Sequence, residues 1–118
     1  MKFYQCEGCK KVIISKEELT LDGWKELVAG AMDASQEKHV PVVEKKCSKL
    51  RVSVGSVAHP MSAEHFIEWA LVETQDGYQI KYFDPADVPE VKFNLKSGDK
   101  VVAVYAYCNL HGLWKTNI

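Results

Sequence analysis

The chain has 118 residues, of which 47% are hydrophobic and 26% are charged, and its formal net charge is -1 at pH 7. This length suits one hydrophobic core, and the balanced charge without a long basic run argues against nucleic acid as a main partner. No segment is long enough to span a membrane and the first residues lack the apolar stretch of a signal peptide, so we expect a cytoplasmic protein with no membrane partner.

The N-terminal segment contains the motif Cys6-Glu7-Gly8-Cys9. Two thiolates at this spacing form half of a rubredoxin-type or zinc-ribbon knuckle, which needs a second pair of ligands. The next cysteine, Cys47, stands alone among lysines and is interpreted as a strand-edge thiol. A bound metal, an exposed redox dithiol, the remnant of a lost site and two thiols of no special role therefore all stay open for Cys6 and Cys9.

The following segment carries helical signals. Ser15-Lys16-Glu17-Glu18 has the form of a capping box, and residues 22–32 place apolar side chains at the spacing of one helical face. Because two glycines weaken this pattern, we predict a short helix or an irregular linker, with Trp24 against the main domain. A further helical turn, capped by Asp33, is predicted to lead to His39.

From residue 40 onward the sequence predicts short strands rich in Val, Ile and aromatic residues. The predicted strands are 40–44, 49–57, 66–74, 78–83, 91–95 and 100–107. Asp76-Gly77 and Ser97-Gly98-Asp99 are typical of hairpin turns, whereas the prolines in residues 84–89 exclude a central strand. Six or seven short strands at this spacing predict an all-β fold, an antiparallel β-sandwich.

Cysteine and histidine residues fall at the ends of these predicted strands. In Cys108-Asn109-Leu110-His111-Gly112 the spacing can place a sulfur and an imidazole on one ion, and the glycine allows a tight turn. Pro60 restricts His59 to extended conformations, which favours a preformed ligand. A lone histidine is more often a surface or hydrogen-bonded residue, so these remain candidates. The full candidate set is His39, His59, His65, Cys108 and His111.

Several separate motifs resemble the desulfoferrodoxin and neelaredoxin family of superoxide reductases, in the family's order. They are Glu37-Lys38-His39-Val40-Pro41-Val42-Val43-Glu44, Val54-Gly55-Ser56-Val57-Ala58-His59-Pro60-Met61, Glu64-His65-Phe66-Ile67-Glu68-Trp69 and Tyr107-Cys108-Asn109-Leu110-His111-Gly112-Leu113-Trp114-Lys115. Cys6 and Cys9 match the first half of the family's iron knuckle. Thr20-Leu21-Asp22-Gly23 stands where the family has an adjacent cysteine pair, so the first iron centre is predicted to be absent.

The resemblance implies a domain organisation and a metal. Residues 33–118 would form an immunoglobulin-like sandwich that holds one mononuclear non-haem iron (Fe2+/Fe3+) per chain, and residues 1–32 a desulforedoxin-like remnant with a linker. The implied equatorial ligands are His39, His59, His65 and His111, with Cys108 as the axial thiolate. Lys38 matches a lysine that attracts substrate, and Glu37 a carboxylate that can occupy the open sixth position on oxidised iron.

The implied activity is superoxide reductase, the one-electron reduction of superoxide to hydrogen peroxide in defence against oxidative stress. The implied partners are an external electron donor such as rubredoxin and further copies of the chain, since the family commonly forms dimers or tetramers. Four neutral imidazoles and a thiolate would leave Fe2+ with one net positive charge, which favours an anionic substrate. The sequence shows no obvious buried acid, so solvent is the expected proton source.

Two alternatives come from other classes. A cupredoxin-like copper electron-transfer protein also uses Cys and His on a β-sandwich, but it needs a weak axial Met shortly after the last histidine, and no Met follows His111. A zinc-stabilised binding module would have a closed site with four ligands, whereas this chain offers five candidates.

Overall fold

A computed structural model describes residues 1–118 as ten strands and one short helix. The elements are β1 (Lys2–Cys6), β2 (Val12–Ser15), β3 (Trp24–Glu26), α1 (Gln36–His39), β4 (Pro41–Lys46), β5 (Lys49–Val54), β6 (Ile67–Thr74), β7 (Gly77–Tyr82), β8 (Glu90–Asn94), β9 (Val101–Cys108) and β10 (Gly112–Asn117). The predicted all-β class is confirmed. No helix has the length and apolar character needed to cross a membrane.

Seven of the strands form the predicted immunoglobulin-like β-sandwich. One sheet has the order β10-β9-β6-β7 and the other the order β4-β5-β8, and all neighbouring strands are antiparallel. This division into four and three strands is that of a constant-type immunoglobulin sandwich. The buried side chains between the sheets include Leu50, Val52, Val54, Phe93, Ile67, Ala70, Val72, Val104, Ala106 and Cys108.

The two central strands, β6 and β9, are buried on both faces. Along β9, Ala106 and Cys108 face the sandwich core while Tyr105 and Tyr107 face the opposite side, as the two-residue period of a strand requires. In β6 the pairing shifts register at Glu68, a β-bulge that bends the strand next to Cys108. Cys108 therefore ends its strand with its thiol directed into the core.

The N-terminal sheet, with the order β2-β1-β3, covers the outer face of the larger sandwich sheet. Phe3 lies between Trp69 and Tyr105, with ring centroids 5.6 Å and 4.7 Å away. The Gln5 side-chain amide donates a hydrogen bond of 2.8 Å to the Tyr107 hydroxyl. The division of the chain at residue 32 into two domains stays a prediction.

Of the two alternatives predicted for residues 22–32, a short helix or an irregular linker, the helix is wrong. Trp24–Glu26 is instead strand β3, which pairs with β1, and Gly23 and Gly30 adopt positive φ angles of 80° and 74° that an α-helix cannot contain. A short segment with two glycines gains more from backbone pairing with an open strand edge than from a marginal helix. Leu27, rather than the predicted Trp24, packs against the cluster around Phe3.

Both predicted helix caps are also wrong. Ser15 ends strand β2, and its hydroxyl accepts a bond of 3.1 Å from the Glu17 backbone N–H in a local turn. The predicted helical turn before His39 is present as α1, but Ser35 occupies the N-cap position instead of Asp33 and makes no side-chain cap bond.

Two predictions about the strand order need correction. Residues 97–99 form a turn as predicted, but it leads from β8 in one sheet to β9 in the other, so it is not a hairpin. The predicted last strand is followed by β10, whose Gly112 pairs with Cys108. The polar residues Lys115, Thr116 and Asn117 concealed this edge strand, whose Leu113 and Trp114 are buried.

Gly55 explains why β5 stops at Val54 instead of continuing to the predicted residue 57. A Cβ atom at Gly55 would lie 2.6 Å from the Glu37 carbonyl oxygen, so only glycine allows the chain to pass this close to α1. The Glu37 carbonyl also accepts a bond of 2.9 Å from the Val57 N–H. This contact fixes the segment before His59 against the helix that ends at His39.

Candidate metal centre

The five candidate ligands meet at one end of the sandwich, although they come from four segments. His39 ends α1, His59 and His65 lie in the connection between β5 and β6, Cys108 ends β9, and His111 lies in the turn before β10. His39 and His59 are 2% and 3% exposed, and Cys108 is fully buried.

The four imidazoles form a closed ring. The centroid distances around it are 4.6 Å from His39 to His59, 4.6 Å from His59 to His65, 5.0 Å from His65 to His111 and 4.9 Å from His111 to His39. Each ring is nearly perpendicular to its neighbours, with interplanar angles of 81–84°. Edges rather than faces therefore point toward a common centre.

The ligand atoms converge at the centre of this ring. His39 Nε2 lies 3.1 Å from both His111 Nδ1 and His59 Nε2, and Cys108 Sγ lies 4.0 Å from His111 Nδ1. The ligand atoms of His39, His65, Cys108 and His111 all lie within 4.8 Å of one another. His59 is outside that group of four, but its contact with His39 Nε2 makes it part of the same cluster.

Backbone carbonyls fix the protonation of two rings. His39 Nδ1 lies 2.6 Å from the Ser35 carbonyl oxygen, and His59 Nδ1 lies 2.6 Å from the Pro60 carbonyl oxygen. Because a carbonyl only accepts hydrogen bonds, each Nδ1 carries the hydrogen and each neutral ring leaves a lone pair on Nε2. The two Nε2 lone pairs that face each other cannot bond to each other, and a cation between them would satisfy both.

Further observations test whether a metal fits these residues. His65 Nε2 is buried and has no hydrogen-bond partner. Metal–nitrogen bonds of about 2.1 Å would place nitrogens at right angles about 3.0 Å apart, close to the 3.1 Å that separates the nitrogens here. Four nitrogens and one sulfur are a donor set that suits a first-row transition metal. The residues therefore fit one such ion.

Burial adjusts the titration of the candidate ligands. It lowers the pKa of His39 and His65, and it lowers the pKa of His59 to about 4, so the rings are held in the neutral form that binds a metal. Burial also raises the pKa of the Cys108 thiol, although the backbone N–H groups of His111 and Leu110 oppose this change. A metal cation would compensate the buried thiolate charge and release the proton.

Two residues that sequence reasoning left without a role hold the site together. The Asn109 side chain accepts a bond of 3.0 Å from the Phe66 N–H and donates one of 2.9 Å to the Glu64 carbonyl, which ties the His111 turn to the His65 segment. Trp114 packs 4.9 Å from His39, and its indole N–H donates a bond of 3.0 Å to the His111 carbonyl. Both lie within the Cys108 motif, but the contacts with Phe66, Glu64 and His39 join them to segments that are distant in sequence.

Lys38 and Glu37 are exposed on α1, next to His39 in sequence. The positive charge of Lys38 contributes to the lowered pKa of His65 and His39, so its field reaches the ring. The pKa of the Glu37 carboxyl is lowered by its own backbone N–H and then by the Ser35 side chain. The roles of both residues in substrate attraction and metal binding stay predictions.

The sequence showed no obvious buried acid near the site, but the structure places one partly buried acid, Glu68, there. Its side chain is half-buried at the β-bulge of β6, and burial raises the pKa of its carboxyl. Its negative charge also contributes to the raised pKa of Cys108 and Tyr107. A bulge, which sequence patterns do not reveal, places this acid beside the strand that carries Cys108.

The other three cysteines are free thiols outside the ring. Cys6 and Cys9 lie at the end of β1 and in the turn after it, and Cys47 is exposed in the turn between β4 and β5.

Comparisons with known proteins agree with this geometry. The Desulfoferrodoxin family profile matches residues 31–117. A desulfoferrodoxin from Clostridium acetobutylicum is 48% identical over 78% of this chain and 71% of its own length, and one from Nitratidesulfovibrio vulgaris is 40% identical over 97% and 94%. The crystal structure of the superoxide reductase from Treponema pallidum is 35% identical, covers 98% of both chains and superposes with a TM-score of 0.82. The chain is therefore a member of the desulfoferrodoxin family.

Proposed function

We propose that the chain is a superoxide reductase that converts superoxide, one electron and two protons into hydrogen peroxide at a single non-haem iron. The observation that carries this proposal is the ring of four imidazoles around a common centre, with the Cys108 thiol 4.0 Å from His111 Nδ1. Membership of the family and the similarity to the Treponema pallidum superoxide reductase support it.

The chain's own residues would hold the iron and prepare the site. When bound, Fe2+ supplies the electron that superoxide takes up. The Ser35 and Pro60 carbonyls keep His39 and His59 in the tautomer and orientation of a ligand. The Cys108 thiolate would donate electron density to the metal, and its burial keeps water and oxidants away from the sulfur.

Lys38 would attract the substrate. Its exposed ammonium adds positive potential beside His39 and His65 in a chain whose net charge is slightly negative. Superoxide is an anion, so this field raises the rate of encounter in a salt-dependent manner. Glu37 stands on the same helix, and its carboxylate would be a candidate ligand for oxidised iron.

An electron must come from outside in every cycle. Cys6 and Cys9 are the only cysteines among residues 1–32, so we expect no complete second iron centre there. We propose that this electron comes from a rubredoxin-like donor.

We also propose that the protein is cytoplasmic and that its chain divides into two domains, residues 1–32 and residues 33–118. We further propose that it forms a homodimer or a homotetramer. Sedimentation analysis of the iron-loaded protein measures the oligomeric state, and a monomer would refute this last proposal.

The activity test measures electrons consumed per superoxide. The iron-loaded chain is mixed with reduced rubredoxin under a steady flux of superoxide, and rubredoxin oxidation and dissolved oxygen are followed together. A reductase consumes one donor electron per superoxide and releases no oxygen. Release of oxygen without donor oxidation would identify a dismutase, and no acceleration of either process would refute the proposal.

Nothing in the structure or the comparisons favours the cupredoxin-like alternative. The four imidazoles exceed what a copper electron-transfer site uses.

A further inference from the structure

The turn that follows β1 brings two cysteines together. Cys6 ends the strand, and the Cys9 backbone N–H donates a bond of 3.2 Å to the Cys6 sulfur. The turn is closed by a bond of 3.0 Å from the Lys10 N–H to the Cys6 carbonyl and by the positive φ angle of 60° at Lys10. A three-residue separation in a closed turn holds the two thiols next to each other.

The environment of Cys6 favours its thiolate. The neighbouring Cys9 thiol makes the largest contribution to a lowered pKa of Cys6, and the backbone N–H groups of Cys9, Gly8 and Lys10 lower it further. Cys9 is exposed, and Cys6 is accessible in part. A thiolate that is accessible and adjacent to a second thiol has the properties of an oxidisable cysteine.

The neighbouring loop does not complete a metal site. It faces the turn through a bond of 2.9 Å from the Glu7 N–H to the Gly23 carbonyl. Its residues Thr20, Leu21, Asp22 and Gly23 contain neither sulfur nor imidazole. Two thiolates cover only half of a tetrahedral site, so the geometry favours a dithiol over a metal knuckle.

We propose that Cys6 and Cys9 form a peroxide-oxidisable dithiol, in which Cys6 is the attacking thiol and Cys9 the resolving one. The Cys6 thiolate attacks one oxygen of hydrogen peroxide, the O–O bond breaks, and the departing hydroxide takes a proton to become water. The Cys9 sulfur then attacks the Cys6 sulfenic acid, an S–S bond replaces the S–O bond, and a second water leaves. Two thiols lose two electrons, and one peroxide is reduced to two waters.

The oxidant is the product of the proposed superoxide reduction. The inference depends on the proposed function only for this source of peroxide, because the dithiol should react equally with peroxide that is added. A failure of superoxide reduction and a failure of thiol oxidation are thus separate results.

The test exposes the full-length, metal-loaded chain to less than one equivalent of hydrogen peroxide and then alkylates and maps the remaining thiols. We expect Cys6 and Cys9 to disappear together as a disulfide, with the loss of two hydrogens and reversal by dithiothreitol. Cys47, an exposed cysteine without a neighbouring thiol, is the internal control. Cys6 should react about tenfold faster than Cys47, since the thiolate is the nucleophile.

Two variants assign the roles. In Cys9→Ser the reaction should stop at a Cys6 sulfenic acid that dimedone traps, whereas in Cys6→Ser the Cys9 thiol should react no faster than Cys47. Equal reactivity of Cys6 and Cys47 in the parent chain would overturn the proposal. So would a metal on Cys6 and Cys9 that blocks both peroxide and alkylation until a chelator removes it.

Discussion

Cys108 and the pair Cys6 and Cys9 lie in two regions of this chain that differ in what surrounds the sulfur. Cys108 is fully buried, and the ring of four imidazoles that accompanies it comes from distant parts of the sequence. Cys6 and Cys9 lie in one turn, and the hydrogen bonds to the Cys6 sulfur come from Cys9 and its neighbours. The Gln5 side chain joins the regions, since it donates bonds to the Lys10 carbonyl and to Tyr107, which precedes Cys108.

The difference shows what makes a metal necessary. His39 Nε2 and His59 Nε2 lie 3.1 Å apart with their lone pairs facing each other, and His65 Nε2 is buried without a hydrogen-bond partner. The ring therefore destabilises the folded state until a cation binds. In the N-terminal turn, backbone N–H groups and solvent satisfy the sulfurs without an ion. Two cysteines in a motif are therefore a weaker sign of a metal than buried acceptors without donors.

The largest predicted effect comes from exchanging one sulfur in each region. Cys108→Ser should lose the sulfur-to-iron absorption band of the oxidised protein and lower the superoxide rate constant by about 100-fold or more, because the donor to the metal is gone. Cys6→Ser should keep both properties. Absorption spectra measure the band in both variants, and rapid mixing with superoxide measures the rate constant. Loss of the band in Cys6→Ser but not in Cys108→Ser would contradict this prediction.

Metal removal should have the next largest effect. Chelation is expected to lower the thermal midpoint by about 10 °C or more, because the folded state alone binds the ion and the freed lone pairs are buried. Scanning calorimetry of the chelated and reloaded protein measures this midpoint. On chelation, the midpoint of Cys6→Ser should fall as much as that of the parent chain. An unchanged midpoint would mean that the histidine nitrogens find hydrogen-bond partners without a metal.

Lys38→Ile should slow the reaction with superoxide about tenfold at low salt and flatten its dependence on ionic strength, since the attracting charge is removed. Lys81→Ile, which removes an exposed lysine of β7, is the matched control and should change little. Pulse radiolysis over a range of salt concentrations measures the rate constant and its dependence on ionic strength for both variants. Equal rates for the two variants would remove Lys38 from substrate attraction.

Glu68→Gln should have the smallest effect, a change in the free energy of unfolding that depends on pH. Burial raises the pKa of Glu68 above 4.5, so the folded state binds its proton more tightly than the unfolded state does. The contribution of Glu68 to stability is present below pH 4.5 and is lost as pH rises through the raised pKa.

The variant should therefore match the parent at pH 4 and be more stable at pH 7, by less than about 1 kcal/mol because solvent screens a half-exposed carboxylate. Urea unfolding at both pH values measures this difference, with the exposed Glu18→Gln as the control. Greater stability at pH 4 than at pH 7 relative to the parent would contradict the assigned direction.

The sequence predicts the sandwich well because alternation in strands such as Leu50, Val52 and Val54 is a local signal of one buried face. It missed β1, β2, β3 and β10. The pairing of β3 with β1 and of β10 with β9 is decided by free strand edges elsewhere in the fold. Histidine and cysteine motifs mark the candidate ligands. The acceptors that orient two rings are backbone carbonyls of Ser35 and Pro60, and every residue has a carbonyl, so no pattern could identify them.

The most direct test of the central claim is the metal content per chain together with the visible spectrum before and after oxidation. We predict one iron per chain, nearly colourless when reduced and blue when oxidised through charge transfer from the Cys108 thiolate. Zinc or copper in its place would contradict a single-iron superoxide reductase. A second iron with a red, rubredoxin-like spectrum would contradict the free dithiol at Cys6 and Cys9.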